Sequence, residues 1–232
     1  MKKIKITENK KKKKSTKNKS EKFWDKISKN YDRDLKRFEP IHIKVIKNTK
    51  KYLNASDIVL DYGCAKGTKT FELASNVKKI YGIDISFKMI EGAKKRAKER
   101  NVENADFAHT TIFDERCKRE SFDVILAFSI LHGLEDCQQA MQRIIELLKP
   151  GGLFISITPC LKEKMKYSTK FEFYLFLLLS KLKLVPYIKR FRTSELEDLI
   201  ANGTLQIVEI ENIFHKLSSC YIVAKKIKEE LK

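Results

Sequence analysis

The 232-residue sequence is poor in glycine and proline, with 8 and 4 residues, and it has no long hydrophobic run. Its most apolar run, FYLFLLL at residues 173–179, is shorter than the about 20 residues that cross a bilayer. Five cysteines occur, at positions 64, 117, 137, 160 and 220, and no two have C-x-x-C spacing. We therefore expect no transmembrane segment, no metal site and no disulfide framework, but reduced thiols in the cytoplasm.

Acidic residues are scarce beside basic ones, 30 against 49, which gives a net charge of +19. Residues 1–22 contain eleven lysines and two glutamates, so nearly half of the excess charge lies in this segment. A lysine block without an apolar stretch that could form a signal-peptide core predicts a disordered tail and does not indicate secretion. Weak contact of this tail with RNA or an anionic membrane surface is a secondary prediction.

The remainder, residues 23–232, predicts one domain in which helices and strands alternate. Residues 23–53 have apolar positions at helical intervals, and five apolar runs that follow are separated by helical segments. These runs predict strands at 57–63, 78–86, 105–111, 121–130 and 152–159. Because they show little alternation, they are typical of a parallel sheet covered on both faces. A helical insertion (161–192), a helix (193–203) and an antiparallel pair (205–213 and 218–226) complete the prediction.

The first predicted strand–helix turn, VLDYGCAKGTKT at 59–70, lies where parallel sheets bind ligands, beyond the carboxyl ends of the strands. Its small residues, Gly63, Ala65 and Gly67, have the spacing i, i+2 and i+4. A dinucleotide fingerprint needs glycine at i, i+2 and i+5, where this chain has Thr68. A phosphate-binding P-loop is excluded because no G-K-[ST] follows a four-residue gap.

The loop Asp61-Tyr-Gly63-Cys-Ala65-Lys-Gly67 resembles the first motif of the class I S-adenosylmethionine (SAM)-dependent methyltransferases, although alanine at 65 departs from the commonest pattern. Three further stretches resemble later motifs of this family and follow in the same order: YGIDIS with Asp84, FDVILAFSILHGLED at 122–136 and LKPGG at 148–152. The resemblance implies an α/β fold with a Rossmann-like, seven-stranded, mostly parallel sheet whose last strand is antiparallel. It also implies SAM as the cofactor.

The family's site residues can be carried over by position. Small residues in the loop let the backbone approach the methionine part of the cofactor, and Asp84 matches the acid that accepts hydrogen bonds from the ribose hydroxyls. A strand-end acid that caps the helix at 87 is the alternative role for Asp84. The predicted cofactor-binding residues are Asp61, Gly63, Cys64, Ala65, Gly67, Asp84, Ile85, Thr111, Ile112, Ala127 and, as a lid contact, Tyr31.

A general base is needed only where the methyl acceptor still holds its proton near neutral pH. His132, just after the fourth predicted strand, is the histidine best placed for this role. Packing beside Leu131 is its alternative role, and His42, His109 and His215 are predicted to be structural.

The acceptor is predicted to be a small molecule or a lipid-like molecule. The Asp/Asn-Pro-Pro-aromatic motif of amino-directed nucleic-acid methyltransferases is absent after the fourth strand, and Cys160 lacks the partner Pro-Cys of five-carbon RNA methylation. The insertion over 161–192 resembles the acceptor-pocket segment of ubiquinone/menaquinone-biosynthesis methyltransferases, and its apolar residues would cover the pocket mouth. Two alternatives stay open, an RNA or protein methyltransferase recruited by the basic surface and a catalytically silent SAM-binding module.

Overall fold

The computed structural model of the protein describes residues 19–182, 184–201 and 203–227. The predicted lysine-rich tail lies outside the described residues except for positions 19–22. These four residues belong to a helix, α1, which is described over residues 19–27.

Seven further helices and seven strands follow within the described ranges. The helices are α2 (Tyr31–Lys36), α3 (Glu39–Lys50), α4 (Thr68–Ala74), α5 (Phe87–Glu99), α6 (Cys137–Leu147), α7 (Tyr167–Lys181) and α8 (Thr193–Ile200), with a 3-10 turn at Leu131–Gly133. The strands are β1 (Ile58–Tyr62), β2 (Lys79–Asp84), β3 (Ala105–His109), β4 (Phe122–Phe128), β5 (Leu148–Pro159), β6 (Leu205–Phe214) and β7 (Ser218–Lys226).

The strands form one sheet in the order β3-β2-β1-β4-β5-β7-β6. Pairing is parallel from β3 to β5, and β7 is antiparallel to both β5 and β6. The predicted fold class is confirmed, including the antiparallel last strand.

The central strands are apolar on both faces because helices cover both. Leu60 and Ile125 belong to one hydrophobic cluster, whereas their neighbours Val59 and Leu126 belong to the cluster on the other face. This double burial explains why the strand sequences show little polar alternation.

The strand order places a ligand crevice between β1 and β4. From β1 the chain runs outward to β2 and β3, and it then returns to the other side of β1 to form β4 and β5. The loops after β1 and β4 therefore diverge at their carboxyl ends, which is where open α/β sheets bind ligands.

The single helical stretch predicted over 23–53 is divided into α1, α2 and α3. Pro40 lies in the first turn of α3, where its missing N–H is harmless. Inside a continuous helix its ring would clash with the carbonyl of Lys36, the last residue of α2, and this is why the helix is broken there.

The fifth strand was predicted to begin at 152, and this boundary is wrong. Helix α6 ends at Leu147, and β5 begins at Leu148 and includes Pro150 and both glycines. The β4–β5 register shifts here, and a Cβ on Gly152 would lie 2.9 Å from the carbonyl oxygen of Asp123. The glycines therefore form a bulge within the strand.

Two other boundaries also differ from the prediction. The insertion over 161–192 is helical only over Tyr167–Lys181, and the described residues after it run without regular structure through Pro186 to α8. Helix α8 ends at Ile200 with Ala201 as its C-cap, so Gly203 lies beyond the helix. None of the described helices is both long enough and apolar enough to cross a bilayer.

Candidate active site and cofactor cleft

A cavity of about 460 Å³ lies at the carboxyl ends of β1, β2, β4 and β5. Helices α1, α2 and α3 cover one side of it, and Phe176 of α7 with residues 186–188 of the insertion covers another. Most of its wall is apolar. The apolar lining includes Trp24, Ile27, Leu35, Phe38, Ile41, Met89, Phe128, Ile130, Leu134, Ile157, Phe176, Tyr187 and Ile188.

The loop after β1 has a backbone that needs small residues. Gly63, Ala65 and Gly67 all have positive φ angles, of 78°, 49° and 73°. The amides of Gly63 and Cys64 both donate to the carbonyl of Ile83 on β2, at 2.8 and 3.1 Å. A Cβ on Gly63 would come within 2.4 Å of Ile130 Cδ1, so glycine allows the loops after β1 and β4 to approach each other.

Asp84, the last residue of β2, lines the cavity and contacts both neighbouring loops. Its Oδ2 accepts from the Ala65 amide at 3.0 Å and its Oδ1 from the Ser86 amide at 2.8 Å. Ser86, not Asp84, caps α5, since its Oγ accepts from the Met89 amide. Burial raises the pKa of Asp84, and the two backbone amides oppose this shift. These contacts hold a carboxylate at the cavity wall and leave the capping role to its neighbour.

Asp61 lies at the end of β1 and is buried. Its Oδ2 accepts a hydrogen bond of 2.6 Å from Thr70 Oγ1 in α4. Burial raises the pKa of Asp61 to about 6, although the hydrogen bond from Thr70 lowers it. The contact joins the loop to the first turns of α4, so it fixes the position of the glycine loop relative to the sheet.

The segment before β1 is fastened over the cleft by two carboxylates. Asp32 of α2 accepts from Lys66 Nζ in the loop at 3.1 Å and from Arg96 Nη2 in α5 at 2.6 Å. Asp25 of α1 accepts from Ser86 Oγ at 2.6 Å. Tyr31, the predicted lid contact, is the first residue of the anchored helix α2 and lines the cavity.

The structure brings most of the predicted site residues together and leaves some apart. The predicted residues that line the cavity are Tyr31, Asp61, Gly63, Cys64, Ala65, Asp84, Ile85 and His132. Gly67, Thr111, Ile112 and Ala127 are outside this lining. Ile112 and Ala127 are fully buried in the core, where their side chains pack against other apolar residues.

His132 lies in the 3-10 turn after β4 and lines the cavity. Its Nδ1 is buried and has no hydrogen-bond partner among the described residues, whereas its backbone carbonyl accepts from the Lys189 amide at 2.7 Å. Burial lowers its pKa to about 4, so the imidazole is neutral near pH 7. A neutral ring with an unpaired nitrogen can accept a proton.

The cavity residues that were not predicted include two basic side chains, His42 of α3 and Lys69 of α4. His42 was expected to be structural, and its pKa is lowered to about 4 by burial and by the positive charge of Lys69. Lys69 Nζ lies 6.0 Å from the centre of the Phe128 ring. Helical periodicity places both residues on a face of their helix, but it does not say what that face meets.

The groups that line the cavity fit the cofactor that the motifs imply. Gly63, Cys64 and Ala65 line the cavity, so a ligand can lie close to the backbone of the loop, and Asp84 offers carboxylate oxygens at the end of β2, where a ribose would lie. No cluster of three or more metal-ligating side chains occurs among the described residues. The fold and this cleft define a nucleoside-binding α/β protein with an adjoining apolar pocket.

Comparison with known sequences identifies the family. The model of the family described as "Methyltransferase domain" matches residues 53–216, which is well over half of the chain. The chain therefore belongs to this family, the class I SAM-dependent methyltransferases, and the predicted resemblance is confirmed.

Two relatives from quinone biosynthesis each share 28% sequence identity with this chain over the matched residues. The chain is 28% identical over 160 residues to demethylmenaquinone methyltransferase of Lactococcus lactis, a match over 66% of this chain and 63% of that protein. It is 28% identical over 171 residues to ubiquinone biosynthesis O-methyltransferase of Coxiella burnetii, over 73% and 72% of the two chains. The matched part is thus somewhat less than two thirds of the Lactococcus protein.

Among solved structures, the N-methyltransferase NodS of Bradyrhizobium japonicum, in complex with S-adenosylhomocysteine, superposes with a TM-score of 0.61. The identity is 18%, and the superposition covers 81% of this chain and 86% of that one. At this identity the similarity shows a shared fold.

Proposed function

We propose that the protein transfers a methyl group from SAM to a small, largely apolar acceptor. The observation that carries this proposal is the cavity, which begins at the glycine loop and Asp84 and continues between apolar side chains of α1–α3, β4, β5 and the insertion. Its volume of about 460 Å³ is in the range of small-molecule sites. When bound, SAM supplies a methyl group on an already activated sulfonium centre.

The residues of the chain divide the remaining work. Asp84 would hold the ribose, and the backbone of residues 63–65 would hold the methionine part of the cofactor. The helices over the cleft and the insertion exclude water and align the acceptor, which supplies much of the catalysis in a displacement of this kind. The relatives from quinone biosynthesis support an acceptor with an apolar body.

The decisive experiment is transfer of a tritiated methyl group from SAM into fractionated cell extract. We expect the label in the small-molecule or lipid fraction. Label in RNA or protein would contradict the proposal and favour recruitment through the basic surface. Tight SAM binding without label in any fraction would identify a catalytically silent module.

We further propose that His132 is the general base for an acceptor that binds with its proton. His132→Gln should lower kcat about 100-fold or more, with the SAM dissociation constant unchanged within about twofold. Because burial lowers the pKa of His132 to about 4, wild-type kcat should not depend on this group between about pH 6 and pH 8. His215→Gln, in the β6–β7 turn, is the matched control. An acid limb near pH 6.5 that disappears in His132→Gln would show an ordinary, solvated histidine instead.

A weak contact with anionic membrane surfaces is a finer proposal. On α7 the side chains of Tyr167, Phe171 and Tyr174 are 90%, 76% and 63% exposed and lie on one helical face. Lys170, Arg190 and Arg192 line a second cavity beneath the same helix, and these cations suit phosphate headgroups. The lysine-rich tail would add unspecific attraction. Flotation with anionic but not zwitterionic vesicles should show binding, and equal recovery with both would contradict it.

The setting proposed for the enzyme is the cytoplasm. All five cysteines are free thiols, and four of them are buried. This supports a reducing compartment. Cys160 is fully buried and does not line the cavity. This argues against a thiol that attacks a pyrimidine.

A further inference from the structure

Lys69 is a cation in a cavity whose walls are mostly apolar. It is the second residue of α4, its side chain is half-buried, and its ammonium group faces the space between the ends of β1 and β4 and helix α3. Neither the reaction nor the cofactor contacts assigned above use this group. An ammonium group that is partly removed from water is unfavourable unless a partner or a ligand compensates its lost hydration.

The neighbouring residues supply little compensation. None of the ion pairs among the described residues includes Lys69. Asp61 is the carboxylate whose charge raises the pKa of Lys69. Its Oδ2 already accepts a hydrogen bond of 2.6 Å from Thr70 Oγ1. The contact that remains is with the ring of Phe128, whose centre is 6.0 Å from Nζ. At this distance such a contact is weak and does not replace the lost hydration of the ammonium group.

The titration behaviour agrees with this geometry. Burial lowers the pKa of Lys69, and the charge of Asp61 opposes that shift. The positive charge of Lys69 in turn lowers the pKa of His42. Thus the cation Lys69 and the neutral base His42 lie on the α3–α4 side of the cavity, whereas Asp84 lies at the end of β2 on the other side of β1.

We propose that Lys69 binds a carboxylate of the methyl acceptor, and that the acceptor is therefore an organic acid with an apolar body. This proposal rests on the proposed methyltransferase function and names the acceptor's chemical class. An aromatic or aliphatic acid would place its carboxylate against Lys69 and its body against Phe128, Phe38 and Ile41. The ion pair would be formed in a water-poor site, where it is stronger than at a surface.

The test uses an aromatic acid and its neutral isostere as probes, 2-naphthoate and 2-naphthamide. Their affinities are measured by calorimetry on the full chain saturated with S-adenosylhomocysteine. We expect the wild type to bind the acid about tenfold more tightly than the amide, a difference of about 1.4 kcal/mol. Lys69→Met should abolish this preference, and Lys69→Arg should retain part of it. Lys78→Met, at an exposed lysine beyond the end of α4, should have no effect.

The pH dependence gives a second readout. Because deprotonation removes the positive charge, the preference for the acid should fall as pH rises through the pKa of Lys69, and at lower pH than for an exposed lysine. The proposal is overturned if the wild type shows no preference for the acid, or if the preference survives in Lys69→Met. It is also overturned if Lys69→Met lowers the affinity for S-adenosylhomocysteine tenfold, since Lys69 would then hold the cofactor. Failure of the proposed methyltransferase function would give a different result. The wild type would then still prefer the acid over the amide, but it would transfer no methyl group.

Discussion

Replacing Asp84 by alanine is expected to lower the affinity for S-adenosylhomocysteine about 100-fold or more. Hydrogen bonds to a charged group contribute about 1.5–3 kcal/mol each, and the ribose offers two hydroxyl donors. Asp84 is already held by the Ala65 and Ser86 amides, so little reorganisation opposes binding. Calorimetry on the full chain measures the change.

A cofactor analogue separates ribose recognition from damage to the loop. In the wild type, the 2′-deoxy analogue of S-adenosylhomocysteine should bind at least about tenfold more weakly than the parent compound. In Asp84→Ala the two ligands should bind equally, since the group that distinguishes them is gone. Asp106→Ala, at a solvent-exposed acid of β3 that pairs with Lys79, is the control for removal of a carboxylate nearby. Unchanged discrimination in Asp84→Ala would refute the ribose assignment.

The pH dependence of cofactor affinity has a definite sign. A protonated Asp84 accepts fewer hydrogen bonds, so affinity should fall as pH is lowered through its pKa. Burial raises that pKa, and the loss should begin at a higher pH than for an exposed aspartate.

The sheet and the glycine loop could be predicted from local sequence because their determinants are local. Strands buried on both faces are largely apolar, and the acids at or next to their last position, Asp61 and Asp84, mark the ligand edge of a parallel sheet. His132 follows β4 directly and was found by the same reasoning. Each of these residues lies at or shortly after the end of a parallel strand, and the ends of parallel strands meet at one edge of the sheet.

The acceptor side of the cavity could not be predicted in this way. His42 and Lys69 are 27 positions apart and meet only because α3 packs on α4. Nothing in the sequence around His42 distinguishes a cavity wall from an ordinary helix interface. A lysine two residues after Gly67, in the first turn of the helix that follows the glycine loop, was a usable signal, because a charge that becomes covered needs a partner.

The start of β5 was also misplaced because it depends on contacts with residues that are distant in sequence. Glycine and proline are typical of turns, but Gly151 and Gly152 lie within β5 because a bulge accommodates them opposite β4. Whether Pro-Gly-Gly ends an element or bends one depends on the pairing partner, which is distant in sequence.

The second large effect is expected at Gly63. Gly63→Ala should lower the free energy of unfolding by about 2–4 kcal/mol, the sum of about 1–2 kcal/mol for a left-handed backbone and the displacement of Ile130. The φ of +78° creates the first contribution, and the 2.4 Å approach of a Cβ to Ile130 Cδ1 creates the second. Since Ile130 lines the cavity, affinity for S-adenosylhomocysteine should fall as well. Urea denaturation measures the stability change.

Gly203→Ala is a matched control for the backbone contribution, because its φ is +86° and nothing lies within 4 Å of the added Cβ. It should be destabilised by about 1–2 kcal/mol only. Ile130→Ala removes the obstructing atoms, so the double variant Gly63→Ala/Ile130→Ala should lose less stability than the sum of the single variants, with a coupling of about 1–2 kcal/mol. If Gly63→Ala and Gly203→Ala were equally destabilised and the coupling were zero, the loops after β1 and β4 would not be in close contact. The cofactor cleft would then have to be wider than the geometry of the glycine loop implies.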